Sequence, residues 1–440
     1  MLLEKAGIPY DIYERALEVK QLGSGMTLNA TIAPMLRQVN LFDEFVSLSK
    51  RVPSIQIARE DRTFDFSITG GFDQAMERYG GETRLISRPV LYDLFLRQVP
   101  KERIHLNTKI VKVEQDKNDV RIHCEDGSII IGDILVGADG AHSTIRKNIY
   151  AQLKEEGALP PQDDMPLPFN TVCLVGQTRQ LTPEEIPFLA EKECQFVRIV
   201  GDNKPYAWNT FTTTQGTLCW SLVRFLEGES SKEDDSFRDS EWGSETAEEM
   251  CEQVGDFPVI AGGDKKLTVG DLINWTPKEL ISKVMLEEKV FQTWYSGRTV
   301  LMGDACHKFN PSGGAGAGNA IHDAIVLANH IHALSLRPAV DKVEKAFEAY
   351  KIERIEWVEK AFATSNMAQS LVGQGIKPTI LRFVMRNMPE FMKQRAAEQM
   401  FTYRPQVAFL PLDDTPVLVK PAPQHSGAIK KVASLNMASS

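Results

Sequence analysis

The sequence predicts an α/β chain, a parallel sheet wound with helices and interrupted by an inserted mixed β region. Three observations carry that reading. Ile134-Leu135-Val136 and Thr299-Val300-Leu301-Met302 are apolar without alternation, as strands buried on both faces of a parallel sheet are. Each runs into glycine and an acid, Gly137-Ala138-Asp139-Gly140 in one case and Gly303-Asp304 in the other. Between them, Thr171–Val175, Phe196–Val200 and Leu218–Val223 are rich in β-formers and mark the insertion.

Composition bounds what such a chain can be. At 440 residues it has room for two or three domains of about 150 residues. With 42% hydrophobic and 25% charged residues it is neither disordered, collagenous nor a small disulfide scaffold. Lys+Arg 50 against Asp+Glu 59 leaves −9, so no basic footprint for nucleic acid is present. The acidity is local: residues 227–256 hold twelve Asp/Glu and two Lys/Arg, which reads as a solvated loop. The six cysteines lie far apart, without CxxC pairs or histidines at metal spacing, so they read as reduced thiols of a cytoplasmic protein without metal. No stretch approaches the ~18 apolar residues of a membrane span. Peripheral membrane association and oligomeric state stay open.

In chain order, Leu2, Leu3 and Ala6 have helical spacing closed by Gly7, and Ile8–Glu14 reads as a short strand ending in an acid. Helix, strand and terminal acid make the second half of a βαβ unit, whose first strand and glycine loop are expected upstream of Met1. Asn29 caps a helix running to about Val39, and Ser87 precedes another with Pro89 in its first turn. Residues 108–131 read as a β-meander. A Gly/Ala-rich loop at 312–318 opens a helix to His332, a second helix covers about 340–362, and the chain from Arg404 is Pro-rich and irregular.

The sharpest constellation is Val300-Leu301-Met302-Gly303-Asp304, followed by Pro311-Ser312-Gly313-Gly314-Ala315-Gly316-Ala317-Gly318-Asn319. A strand delivers an acid at its carboxyl end, where open α/β sheets bind ligands. Residues without bulky side chains then let a flat or phosphorylated molecule approach the backbone. The following helix N-terminus offers free N–H groups to an anion, and Asp304 could accept hydrogen bonds from sugar or sugar-alcohol hydroxyls.

This segment resembles the second FAD motif of the class A flavoprotein monooxygenases, the para-hydroxybenzoate hydroxylase-like family. Tyr13-Glu14-Arg15 resembles the strand end whose Glu holds the adenosine ribose. Ser87-Arg88-Pro89-Val90-Leu91 resembles the segment whose Arg lies against FAD, and Asp139-Gly140-Ala141-His142-Ser143-Thr144-Ile145-Arg146 resembles the family's DG motif. The resemblance spans residues 1 to about 335 and is closest to the fungal enzymes that epoxidise or hydroxylate terpenoid and polyketide intermediates. It implies a Rossmann-like FAD-binding domain, discontinuous over 1–150 and 297–365, lacking the first strand and G-x-G-x-x-G loop. A mixed-sheet substrate domain would occupy 151–296 and a C-terminal extension 366–440. Implied FAD contacts are Glu14, Gly23, Gly25, Arg88, Asp139, Gly140, Arg146, Gly303, Asp304, Pro311, Gly314, Gly316, Ala317, Gly318 and Asn319. NAD(P)H would be the reductant, with O₂ and a small organic molecule as co-substrates.

The chain departs from the family at Cys306 and Ala315, without losing a required group, and at the missing glycine loop, which should precede Glu14 by about twenty residues. Gly23-Ser24-Gly25 reads equally as an ordinary turn, and Arg146 either fixes its loop or meets the nicotinamide nucleotide. His307 reads as a satisfied loop histidine. Tyr206, Trp208 and Trp220 either line the substrate pocket or pack the core. A reductase of the same fold, or a remnant holding no FAD, would carry the same motifs.

Overall fold

The computed structural model describes residues 1–18, 25–69, 74–202, 204–231, 247–373 and 375–424. Its largest element is a mixed seven-stranded sheet. The strand order is Ser282–Glu287, Pro168–Gln177, Leu218–Ser231, Tyr206–Thr212, Phe196–Val200, Ile55–Ala58 and Phe64–Ile68. The last two strands come from the first 150 residues, and Ile55–Ala58 joins Phe196–Val200 in parallel. The expected boundary at residue 150 therefore does not divide the sheet. Sequence alternation identifies a strand and its buried face but not the edge it joins.

Strand alternation gives this sheet two different faces. Val172, Leu174, Val197, Ile199, Trp208, Trp220 and Leu222 pack with Met250 and Val254 of the helix Glu248–Val254 and Leu272 of the helix Val269–Asn274. The indole N–H of Trp208 donates to Pro258 O at 2.8 Å and that of Trp220 to Thr276 Oγ1 at 3.0 Å, so burial leaves neither donor unsatisfied. Tyr206 lies edge-on to Phe257 in the same core. Tyr206 and Trp220 are thus core residues rather than pocket walls; periodicity alone could not tell which sheet face would be covered by helices. The acidic stretch expected as a loop falls largely on 232–246, outside the described residues.

The parallel sheet inferred from the apolar runs exists in two pieces. Leu135–Gly137 pairs in parallel with Thr299–Leu301, and Ile12–Tyr13 pairs in parallel with Ile104–His105. Leu135–Gly137 has one partner among the described strands, so Leu135 and Val136 are only half-buried, less than their apolar run suggested. The meander 110–132 and the helices at 33–38 and 88–96 form as expected, with the Asn29 side chain accepting from Thr31 N.

Two C-terminal helices complete the frame. Gly316–His332 runs within one residue of its expected start, whereas Val340–Val372 continues ten residues past its expected end. Val343, Phe347 and Tyr350 form its buried stripe, packing on Trp294, Val300, Leu301 and Val326. Beyond it, Ile376–Asn387 and Glu390–Phe401 are helical, and residues from Arg404 to 424 are irregular but partly buried. Side-chain amides hold this tail: Gln38 exchanges both hydrogen bonds with the Val407 backbone, and Asn329 bridges Gln406 O and Ala408 N. Among the described residues no helix is long and apolar enough to cross a membrane.

Because Trp220 is 2% exposed in this core, Trp220→Ala should cost about 3–5 kcal/mol through lost burial and an unfilled cavity. Chemical denaturation measures this directly, and a loss under about 1 kcal/mol would contradict the packing described.

Candidate functional site

Strand register sets the site. Gly137 lies opposite Leu301 in the parallel pair, so the 139–140 and 303–304 turns leave the same carboxyl edge side by side. Asp139 organises the first turn. One oxygen accepts from Ser143 Oγ at 2.5 Å and the other from Ile145 N at 3.1 Å, at the start of the helix Thr144–Glu155. Gly140 takes a left-handed φ of 82° with open space where a Cβ would stand. Arg146 bolts the two turns together, donating to Ala305 O at 2.8 Å and Ala141 O at 2.5 Å with its guanidinium 4.1 Å from the Phe291 ring centroid. At 5% exposure, with both terminal nitrogens on backbone carbonyls, it fixes the two turns.

Asp304 follows Gly303 at the strand end and pairs with Lys308 Nζ at 2.5 Å, its side chain 37% exposed. Pro311 begins a single turn, capped by Asn310, that ends at Gly314 with φ 61°. A side chain at Gly314 would meet Thr27 Oγ1 at 2.5 Å, so the glycine loop lies directly against the strand Gly25–Leu28. That strand pairs Gly25 with Ser87, which brings Gly25 and exposed Arg88 to one end of a small antiparallel sheet. Gly23 falls outside the described residues. Glu14 continues the Ile12–Tyr13 strand and accepts from Ala16 N at 2.9 Å. Its charge, after burial, raises the pKa of Tyr92 on the helix that Arg88 begins.

Gly316, Ala317, Gly318 and Asn319 form the first turn of the helix to His332. The leading N–H groups of an α-helix have no partner within it. At Gly316 and Gly318 no atom stands within 4 Å of where a Cβ would be. Amide donors and an unfilled surface thus meet at one helix end, beside the edge carrying Asp139 and Asp304. That arrangement fits a flat anionic or phosphorylated ligand.

Beneath this surface lies a buried ionic cluster that motif reading did not assign. Asp323 Oδ2 accepts from Gly303 N at 2.9 Å and contacts His307 Nε2 at 2.6 Å, while Oδ1 accepts from Arg354 Nε at 2.8 Å. Arg354 Nη2 donates to Asn319 Oδ1 at 2.8 Å. Burial alone would raise the Asp323 pKa, but His307 and Arg354 hold it well below the usual carboxylate range. Cys306, His307 and Asp323 bring one ligand atom each within 4.8 Å, yet the carboxylate is already engaged by three donors and is a structural anchor. Its signal in the sequence was the i, i+4 pair Asn319 and Asp323, polar residues recurring on a helix with an otherwise apolar face.

A strand-end turn pair, a glycine cradle and a helix N-terminus make a site suited to a nucleotide cofactor on a mixed α/β fold. Residues 267–365 match the model of the FAD binding domain family. The chain is 27% identical over 372 residues to the FAD-dependent monooxygenase ptmM of Penicillium ochrochloron, covering 82% of this chain and 83% of that protein. It is 24% identical over 422 residues to the FAD-dependent monooxygenase atmM of Aspergillus flavus, covering 93% and 83%. The fold is similar to that of Klebsiella pneumoniae HpxO, solved with FAD and uric acid (TM-score 0.68, 17% identity, 91% and 92% coverage). It is also similar to CtdE, solved with FAD and a substrate (TM-score 0.63, 16% identity, 91% and 93% coverage). The chain is thus similar to FAD-dependent monooxygenases over most of its length, and its cofactor is FAD.

The cluster has a consequence for acid stability. Burial, and then the Arg354 charge, depress the His322 pKa from 6.5 to about 3. Between those values the unfolded chain binds a proton that the folded chain refuses, so stability falls as pH is lowered through that window. One such group contributes a slope of about 1.4 kcal/mol per pH unit. His322→Phe should remove one proton's worth of this slope in denaturant titrations from pH 6.5 downward. An unaltered slope would assign the acid sensitivity to other groups.

Proposed function

We propose that this protein uses NAD(P)H and O₂ to hydroxylate or epoxidise a small organic substrate, with the flavin ring at the cradle formed by residues 311–319. The observation that carries this reading is the free amide edge of the helix from Gly316, set against glycines whose missing side chains leave open surface. Glu14 is assigned to the adenosine ribose, Gly25 and Arg88 to the path of the cofactor along the small sheet, and Gly23 to the cofactor on its place in the sequence alone. Asp139, Gly140, Gly303 and Asp304 fall at the pyrophosphate and ribitol. Pro311, Gly314, Gly316, Ala317, Gly318 and Asn319 fall at the flavin itself. Arg146 supports the cofactor indirectly, through the two turns it holds. FAD supplies redox chemistry that no side chain here offers.

The protein's own contribution is positional. Partial positive charge at the helix N-terminus favours negative charge developing on the adjacent ring edge. Asp304, held by Lys308, presents an acceptor to ribitol hydroxyls. Excluding water at the sheet side keeps reactive oxygen for the substrate. The helix amides keep their direction because Asn319 and Asp323 on the same helix are tied to Arg354.

Purified protein tests the reading. Bound flavin should colour it, and NAD(P)H oxidation should consume O₂ and place one oxygen atom from isotopically labelled O₂ in the product. A reduced product with no O₂ consumed would make it a reductase, and a colourless protein would remove the assignment. Asp304→Ala should weaken FAD binding about tenfold or more, as loss of hydrogen bonds worth about 1–3 kcal/mol requires. An unchanged FAD dissociation constant would displace Asp304 from the ribitol.

A further inference from the structure

Five arginines of this chain are buried among the described residues: Arg146, Arg198, Arg298, Arg354 and Arg404. Four use terminal guanidinium nitrogens on protein acceptors. Arg146 reaches Ala305 O and Ala141 O, and Arg298 reaches Asp133 O, Lys117 O and Pro338 O. Arg354 reaches Asn319 Oδ1, and Arg404 reaches Phe401 O and Val419 O. Arg198 differs. Its Nε donates to Asn209 Oδ1 at 2.5 Å, but neither terminal nitrogen meets a protein acceptor among the described residues, and no carboxylate pairs with it. Burial is the sole influence on its pKa, lowered to about 10, so it remains charged at neutral pH.

Strand register places this charge. Arg198 lies opposite Asn209, which lies opposite Ser221, and Asn209 Nδ2 donates to Ser221 Oγ at 2.9 Å. The three form a polar row on the sheet face opposite the tryptophan core. The neighbouring row on one side, Phe196, Phe211 and Cys219, touches the cofactor region: Gly25 N donates to Cys219 Sγ, and a side chain at Gly25 would strike Phe211. The row on the other side, Val200 and Ala207, packs with Val372 at the end of the long helix. Further along that face Asn310, the cap of the glycine-loop turn, donates to Thr171 Oγ1 at 3.4 Å. The polar row therefore lies on the sheet face bordered by the Gly25 strand, the glycine-loop turn and the long helix.

A buried cation without a counter-ion is costly unless something completes it. Arg198 keeps two terminal nitrogens to donate. Ser221, which accepts from Asn209, retains its own hydroxyl proton. Asn209 fixes the guanidinium through Nε and leaves its fork directed away from the amide. This is a preset donor row for an oxygen anion.

We propose that Arg198, with Asn209 and Ser221, binds an acidic oxygen group of the substrate, a carboxylate or an enolate, and thereby orients it toward the flavin. Arg198 and Ser221 are the binding groups; Asn209 is a positioning residue. The substrate class this implies rests on the monooxygenase reading for its meaning, but the anion preference does not depend on turnover.

Calorimetric titration of the full chain with two probe pairs tests it: benzoate against methyl benzoate, and the enolate of cyclohexane-1,3-dione against its methyl enol ether. At least one anion should bind about tenfold or more tightly than its neutral partner, in line with charged hydrogen bonds. The pair that shows the preference identifies the source as carboxylate or enolate. Arg198→Gln should abolish the preference and Arg198→Lys retain part of it. Asn209→Asp, nearly isosteric, should also abolish it by supplying an internal counter-ion. Equal binding of anion and neutral partner, no binding of either anion, or a preference that survives in Arg198→Gln and Asn209→Asp would overturn the proposal. The visible flavin spectrum of the same preparations separates the two readings. Coloured protein without anion preference defeats this proposal alone, whereas colourless protein with the preference supports it and defeats the monooxygenase reading.

Discussion

Asp323 joins three parts of the chain through one buried carboxylate. Its carboxylate holds the Gly303 amide at the strand end, the His307 imidazole in the following loop and the Arg354 guanidinium of the long helix. Side chains of Asp323 and Arg354 are fully buried, so removing either leaves an uncompensated charge in the interior. Asn319, one turn earlier on the same helix, receives the other branch of Arg354. The N-terminus of the helix Gly316–His332 is therefore anchored to the strand end that carries Asp304. An anion site made of backbone donors works only if those donors are already aimed, and this cluster is what aims them.

The large sheet divides its labour between faces. One buries tryptophans against two helices and supplies cohesion. The other meets the Gly25 strand, the glycine-loop turn and the long helix at its margins, through Cys219 with Gly25, Thr171 with Asn310 and Val200 with Val372. The polar row of Arg198, Asn209 and Ser221 lies between those contacts. Two strands of the sheet come from within the first 150 residues. This ties the N-terminal part of the chain to the inserted β region by backbone hydrogen bonds and limits how freely they move apart.

What the sequence revealed and what it hid follow from range. The strand-turn-helix segments at 299–332 and 135–155, the Asn29 cap and the meander were legible because local spacing and turn chemistry specify them. The Arg146 bolt was half legible: its place in the motif suggested loop fixing, but its reach to Ala305 O, 159 residues away, is visible only in three dimensions. Tyr206 and Trp220 show the opposite case. Alternation put them on one face of a strand, yet which face looked toward the cofactor depended on the helices at 248–254 and 269–274. The Asp323–Arg354 pair was hidden for the same reason, since 31 residues separate its members.

The chain's buried arginines differ in how their charge is met rather than in how deeply they are buried. Arg298 spends its terminal nitrogens on three backbone carbonyls and locks a loop; Arg354 is neutralised by Asp323 and locks two helices. Both are as deeply buried as Arg198 or more so. If Arg198 were structural, the same economy of contacts should have given it carbonyls or a carboxylate, because a desolvated guanidinium gains most from several acceptors in its fork. It has instead one neutral amide and, 5.9 Å from its guanidinium carbon, the Phe196 ring, which orient it without a counter-charge. Unlike Arg298 and Arg354, it keeps both terminal nitrogens without a protein acceptor among the described residues. Positioning a substrate there needs no further protein nucleophile, only a directional charge and a dry wall.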